Sequence, residues 1–148
     1  MDELAKQNRL ELFAAKCHER GLPVTVQRRV ILETVLDLAN HPTADQVCEA
    51  VAQHLPGVSR TTVYRTLDTF VRLGVITKVS HPGSAVRYDG RIERHHHLVC
   101  QRCDAVIDIS DDQLDRIPVP DTSSFGFEVT DCRVQLRGIC RRCKQKEG

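Results

Sequence analysis

The sequence predicts an α+β chain in two parts: an N-terminal winged helix-turn-helix and a C-terminal α+β half stapled by zinc. Three observations predict it. Apolar residues recur at helical spacing in four stretches before Gly74. The period then shortens to that of strands on either side of His81-Pro82-Gly83-Ser84. Further on, Cys100-Gln-Arg-Cys103 and Cys140-Arg-Arg-Cys143 offer two C-x-x-C pairs, the four thiolates a tetrahedral zinc ion takes.

The elements follow in order. A first helix covers residues 1 to about 20, with Leu4, Leu10, Phe13, Ala14 and Cys17 near one face, and Gly21-Leu22-Pro23 breaks it. Thr25 caps a second helix through Ala39, with Val30, Ile31, Val35 and Leu38 inward. Thr43 to Gln46 is a capping box that opens a third helix to about His54. Ser59 caps a fourth, closed by Gly74 at its C′ position. Val75–Val79 and Ala85–Tyr88 are the wing strands. Three packed helices and a hairpin make a winged helix-turn-helix. The predicted domains are therefore residues 1–88, a polar hinge at 89–94, and 95–148. The second half reads as strands at 95–100 and 105–109, a short helix at 111–117, and strands at 126–132 and 133–139. A part this small needs its zinc to fold.

Composition narrows the function. The chain has 148 residues, 41% hydrophobic, with no Trp, which suits one ordinary domain or two small ones. No apolar run is long enough to span a membrane, and the start, Met1-Asp2-Glu3, carries no secretory signal. The expected location is the cytoplasm, where seven cysteines favour metal or redox roles over disulfides. Net charge is only +1, whereas nucleic-acid binders are usually strongly basic. Any DNA binding must therefore draw on a local patch.

The two cysteine pairs lie about forty residues apart, so one zinc ion ties the first hairpin of the second half to its end. Arg102, Arg141, Arg142 and Lys144 lie beside the ligands and offset the charge of a tetrathiolate. The alternative is four buried thiols. A thioredoxin-type redox pair needs a helix N-terminus in a βαβ unit, and that pattern is missing. Cys17 and Cys48 fall on helical core faces as small hydrophobes, and Cys132 is left over.

The fourth helix opens with Ser59, Arg60, Thr61, Thr62, Tyr64 and Arg65. Hydroxyls and helix N-termini grip phosphates, Arg reads guanine edges, and Tyr touches base or sugar. Two arginines alone are more often a solvated face. The preceding helix-turn pair and the following wing favour DNA recognition.

A third group is distributed. His41, Asp89, His95, His97 and Asp108 all suit a divalent transition metal. In a strand, residues 95 and 97 point to one side and His96 to the other. An ion held by all five would clamp one half against the other. The alternative is a solvent-facing histidine run.

With these pieces in hand, the chain resembles the ferric uptake regulator family over nearly its whole length. The resemblance rests on His-Pro-Thr-Ala-Asp (41–45), Thr-Thr-Val-Tyr-Arg-Thr-Leu (61–67), Arg-Tyr-Asp (87–89), His-His-His-Leu-Val-Cys (95–100) and both cysteine pairs. It implies a homodimeric, metal-dependent transcription factor, usually a repressor and not an enzyme. Such a dimer binds a palindromic operator in double-stranded DNA. It also implies structural Zn²⁺ on the cysteines and a regulatory Fe²⁺ or Mn²⁺ on His41, Asp89, His95, His97 and Asp108. Iron-sensing members commonly carry Glu where Asp89 and Asp108 stand, so the aspartate pair resembles the peroxide-sensing (PerR-like) branch. There, bound ferrous iron reacts with peroxide and a ligand histidine is oxidised; by position His41 and His95 are the candidates. The other reading is an iron-, manganese- or zinc-responsive repressor without peroxide chemistry. Some relatives hold a third metal where this chain has Arg94, His96, Asp115 and Cys132; the arginine argues against that site, and the alternative is a weak ion gathered by His96, Asp115 and Cys132. Relatives also carry a longer helix after Asp108. Here Ser110 with Gln113 opens one as a capping box, Pro118 and Pro120 stop it near Ile117, and 121–124 is loop. Dimerisation would then rest on strands within 126–139.

Overall fold

The computed structural model describes residues 1–38, 40–80 and 83–147. The predicted helix end at Ala39 and the His81-Pro82 half of the wing turn lie outside the described residues. The chain divides into two compact units, Met1–Ile92 and Glu93–Gly148.

The first unit holds α1 (Glu3–Glu19), α2 (Val26–Asp37), α3 (Ala44–His54), α4 (Arg60–Arg72) and a ribbon of β1 (Thr77–Val79) and β2 (Arg87–Asp89). Each helix start is chemically specified. Asp2 accepts from the Ala5 amide, Thr25 from Arg28, and Ser59 from Thr62. At α3 both halves of the capping box form, Gln46 N–H to Thr43 Oγ1 at 3.2 Å and Thr43 N–H to Gln46 Oε1 at 2.9 Å. α4 ends in a Schellman motif. The Val75 amide reaches the Phe70 carbonyl and the Gly74 amide reaches Val71, with Gly74 at φ 72 where a Cβ would be strained.

One apolar core joins these elements. It takes Leu10, Phe13 and Cys17 from α1, Ile31, Leu32 and Val35 from α2, Val47 and Val51 from α3, and Val63, Leu67 and Phe70 from α4. Phe13 meets Phe70 edge to face at 5.2 Å between centroids. Leu4 and Ala14, expected inward, are exposed instead. Leu4 sits six residues before Leu10, about 240° around the helix, so it leaves the buried stripe. A buried Arg9 does what no apolar residue does there: its guanidinium donates to the carbonyls of Val75 and Gly90. In the wing the strands pair antiparallel, Thr77 opposite Asp89 and Val79 opposite Arg87.

The second unit is a three-stranded sheet in the order β4 (Val106–Ile109), β3 (His96–Cys100), β5 (Gln135–Gly138), with short helices α5 (Asp112–Asp115) and α6 (Arg141–Gln145). β3 pairs antiparallel with β4 and parallel with β5. The strand expected at 126–132 is not formed, and that expected at 133–139 shrinks to β5. A 3₁₀ turn at Ser123–Phe125 replaces the expected loop, and α6 was not expected. The α5 cap is Asp111 rather than Ser110. Its carboxylate accepts from Gln113 at 2.8 Å and Leu114 at 3.2 Å, and a negative charge is favoured at a helix start. The helix stops by Arg116, ahead of the prolines, as expected.

Candidate metal centres and nucleic-acid surface

Within the second unit, the sulfur atoms of Cys100, Cys103, Cys140 and Cys143 all lie within 4.8 Å of one another. Cys100 to Cys143 is 3.8 Å and Cys103 to Cys140 is 3.7 Å. Four sulfurs at the zinc–thiolate bond length around a tetrahedral ion stand about 3.8 Å apart, so the donor set fits zinc. The local fold prepares the ligands. The knuckle after β3 turns Cys100 and Cys103 to one side, and Cys140 precedes α6, which carries Cys143. The Cys140 amide donates to Cys100 Sγ, and with other backbone amides it lowers that thiol to about 6. Backbone donation, first from Ala105, lowers Cys103 as well. Burial pushes Cys143 up to about 12, and neighbouring sulfurs add to it. A cation is what lets the whole set ionise together.

The five predicted regulatory ligands divide between the units. In the first, His41 Nε2 lies 3.2 Å from Asp89 Oδ2. Both side chains are held from behind. Asp89 Oδ1 accepts the Arg91 amide at 2.8 Å, which aims the other oxygen at His41. Arg87 donates to the His41 carbonyl at 3.1 Å, and His41 sits at φ 58 after Asn40 at φ 67, a left-handed pair that turns the chain out of α2.

In the second unit His95, His97 and Asp108 form a triangle. His95 Nε2 to His97 Nε2 is 3.1 Å, His95 to Asp108 Oδ1 is 3.3 Å, and His97 to the same oxygen is 3.2 Å. These edges match one face of an octahedron with bonds of about 2.2 Å, the two-histidine, one-carboxylate face that non-haem Fe(II) takes. The donor set therefore fits such an ion. The strand register builds it: His97 stands opposite Asp108 in the β3–β4 ladder, and His95 lies two residues back on the same side. The Glu93 carbonyl accepts from His95 Nδ1 at 2.6 Å, which leaves Nε2 with its lone pair for a ligand.

His96 is turned away and is fully engaged. The Val134 amide donates to Nδ1 at 2.9 Å, so the ring proton is on Nε2 and donates to Asp115 at 2.8 Å. Arg94 pairs with the same Asp115 carboxylate at 3.6 Å. Among the described residues no cluster of three or more metal donors includes His96, Asp115 and Cys132. The guanidinium supplies the positive charge beside Asp115.

On α4, Ser59, Arg60, Thr61, Tyr64 and Arg65 are exposed and Thr62 is half-buried. The Ser59 and Thr62 hydroxyls bond each other at 2.9 Å within the cap. Arg65 lines a groove of about 320 Å³ with Arg28, Thr25, Thr62, Thr66 and Thr69. Arg28 was not expected in such a surface. The signal was present, since it lies one turn into a helix that Thr25 caps, but sequence alone does not bring α2 beside α4. Asp45 was missed too. One of its oxygens accepts the Tyr64 hydroxyl at 2.6 Å and pairs with the Arg60 guanidinium.

Comparison with known proteins gives a consistent answer. The Ferric uptake regulator family model matches residues 19–137. The peroxide-responsive repressor PerR of Staphylococcus epidermidis is 29% identical over 137 residues, 93% of this chain and 91% of that protein. PerR of Staphylococcus aureus is 29% identical over 140 residues, 95% of each chain. The fold matches the Helicobacter pylori ferric uptake regulator, a structure with three functional metal-binding sites, at a TM-score of 0.78 and 18% identity, covering 97% of this chain and 96% of that one. The Vibrio cholerae regulator aligns at 0.63 and 27% identity, over 84% and 96% of the two chains. No helix among the described residues is long and apolar enough to cross a membrane. The chain belongs to the ferric uptake regulator family.

Proposed function

We propose that this metal-responsive regulator is a homodimeric, DNA-binding repressor and, within its family, a peroxide sensor of the PerR type. The observation that carries the peroxide reading is the face formed by His95, His97 and Asp108, with edges of 3.1 to 3.3 Å. Two imidazoles and a carboxylate suit Fe²⁺ or Mn²⁺ and leave positions open. The curated relatives at 29% identity that carry the name PerR support the same reading. The structural zinc is assigned to Cys100, Cys103, Cys140 and Cys143.

In this reading residues 1–88 bind DNA, 89–94 are a hinge, and 95–148 bind metal and dimerise. Ferrous iron bound at the sensor ligands would activate the peroxide and be unchanged overall: the histidine ring gives up the two electrons that H₂O₂ takes, so ring C–H and H₂O₂ become ring C–OH and water. The protein's part is to hold the donors. Glu93 fixes the His95 tautomer, Arg91 aims Asp89, and the ladder sets His97 against Asp108. Were His41 and Asp89 to join His95, His97 and Asp108 on one ion, that ion would restrain one half against the other. That linkage favours one arrangement over others. In a dimer it sets the spacing of two α4 helices on a palindromic operator. Loss of the ion, or oxidation of His41 or His95, removes the restraint.

The test is to load the zinc-intact protein with Fe²⁺ without oxygen, add peroxide, and map oxygen by peptide mass spectrometry. One added oxygen on His41 or His95, with loss of operator binding, is expected. Unmodified histidines, with DNA binding that still follows metal, would assign the chain to metal sensing alone. Oxidation confined to cysteine sulfur would make the thiols the redox centre.

A further inference from the structure

Asp45 sits in the first turn of α3, on a surface that should meet polyanionic DNA. An acid there repels phosphate, so its geometry calls for an account. Its backbone is held in a capped helix start, while its carboxylate is exposed. Thr43 and Gln46 cap the helix around it, Thr43 also bridges to Arg87 of the wing, and the helix N-terminus favours a negative charge at this position. Its Oδ1 accepts the Tyr64 hydroxyl at 2.6 Å and pairs with Arg60. Two of the side chains that α4 offers to DNA are therefore held by one carboxylate from another helix. Beside them a cleft of about 380 Å³ opens between α3, α4 and the wing, lined by Asp45, Tyr64, Lys78, Val86 and Tyr88.

We propose that Asp45 is a specificity-determining positioning residue: it holds Tyr64 in place and cancels the charge of Arg60 until matching base edges draw on it. This rests on the reading of α4 as the DNA-reading helix. The physical reason is competition. An unpaired arginine gains counterion-release free energy on any phosphate, whatever the sequence. An arginine already paired to a carboxylate must exchange one anion for another, so a random duplex gains little. A matching base pair adds directed hydrogen bonds that the carboxylate does not offer. Specificity is then raised by suppressing the wrong complex, which is one of two ways to raise it. Tyr64 gains in a second way. Its hydroxyl proton is committed to Asp45 and its oxygen accepts from Arg60, so the ring is held in one orientation until Arg60 is drawn off.

The test uses full-length, zinc-intact, Mn²⁺-loaded protein and two duplexes. One is an operator selected by the wild-type protein from a random library; the other is its scrambled version. Fluorescence anisotropy is followed across a KCl series. Asp45→Asn should bind the scrambled duplex about fivefold more tightly, with a salt slope steeper by about two, because each protomer of the dimer frees one Arg60 for a phosphate. The ratio of operator to scrambled affinity should fall. Arg60→Gln in the wild-type background should cost the operator about tenfold more than it costs the scrambled duplex, the scale of one lost base contact. In Arg60→Gln protein, adding Asp45→Asn should no longer steepen the slope. An unchanged slope and ratio for Asp45→Asn would overturn the proposal. So would an Arg60→Gln loss shared equally by both duplexes. Arg65→Ala run in parallel separates the two claims: if it binds the operator as wild type does, the α4 reading fails, whatever Asp45 does.

Discussion

His97 and Asp108 face each other across the β3–β4 ladder, with Nε2 3.2 Å from Oδ1. The pairing is a consequence of strand register, and the same register puts His95 on that face and His96 on the other. A slip of one residue would reverse all of them. The metal face is therefore as rigid as the sheet that carries it.

Replacing Asp108 with Asn keeps the shape and removes the charge. Mn²⁺ affinity is expected to fall by at least about 100-fold, since loss of a mere outer-shell partner of a ligand already costs about 10- to 100-fold. Zinc content and the thermal midpoint should stay close to wild type, because Asp108 is partly exposed and bridges no core. Paramagnetic resonance of unbound Mn²⁺ gives the affinity. Undiminished binding would remove Asp108 from the ligand set.

His96 tests the opposite face of the same strand. It is wholly buried and exchanges hydrogen bonds with Val134 and Asp115. His96→Ala would leave the part-buried Val134 amide without its acceptor, at a cost of about 1 kcal/mol, and would add a cavity. The melt should shift down while His95 and His97 still bind Mn²⁺. A variant as stable as wild type, but unable to bind metal, would make His96 a ligand rather than a strut.

These two cases show what the sequence could and could not disclose. The alternation in 95–97 and the two cysteine spacings are local, and period and spacing express them directly. So are the caps at Thr25, Thr43 and Ser59, because each needs only its own next turn. Residues 126–132 look like a strand by the same rules, yet they pair with none of the three strands of the sheet. Ser110 competed with Asp111 for one cap, and the choice turned on charge at the helix start. Arg9 and Asp45 were hidden for another reason: their partners lie 66 and 81, or 15 and 19, residues away, so no window on the sequence joins them.

Zinc removal should act on one unit only. Among the described residues the main apolar cluster runs from Leu10 to Tyr88, all in the first unit. The second unit buries Val99 and two of its zinc-ligand cysteines but little other apolar surface, so the metal carries much of its folding free energy. A strong chelator, or Cys100→Ser, should abolish protection from hydrogen exchange in β3, β4 and β5. The amides of α1 to α4 should stay protected. Equal loss in both units would mean that they fold as one.

The Asp45–Tyr64 bond has a spectroscopic signature independent of DNA. Hydrogen bonding to Asp45 comes first among the causes that raise the Tyr64 phenol above its usual range, followed by burial and the Asp45 charge; Arg60 opposes them. Tyr88 is also raised, chiefly by burial. The chain has two tyrosines and no tryptophan, so tyrosinate absorbance is unobstructed. In a Tyr88→Phe background the titration reports Tyr64 alone. The neutral phenol is the form that donates to the carboxylate, so removing the charge should move the transition down. Asp45→Asn is expected to bring it toward pH 10, since an amide oxygen accepts more weakly and repels no phenolate. An unmoved transition would mean that the contact does not persist in solution, and Tyr64 would then reach DNA without guidance from α3.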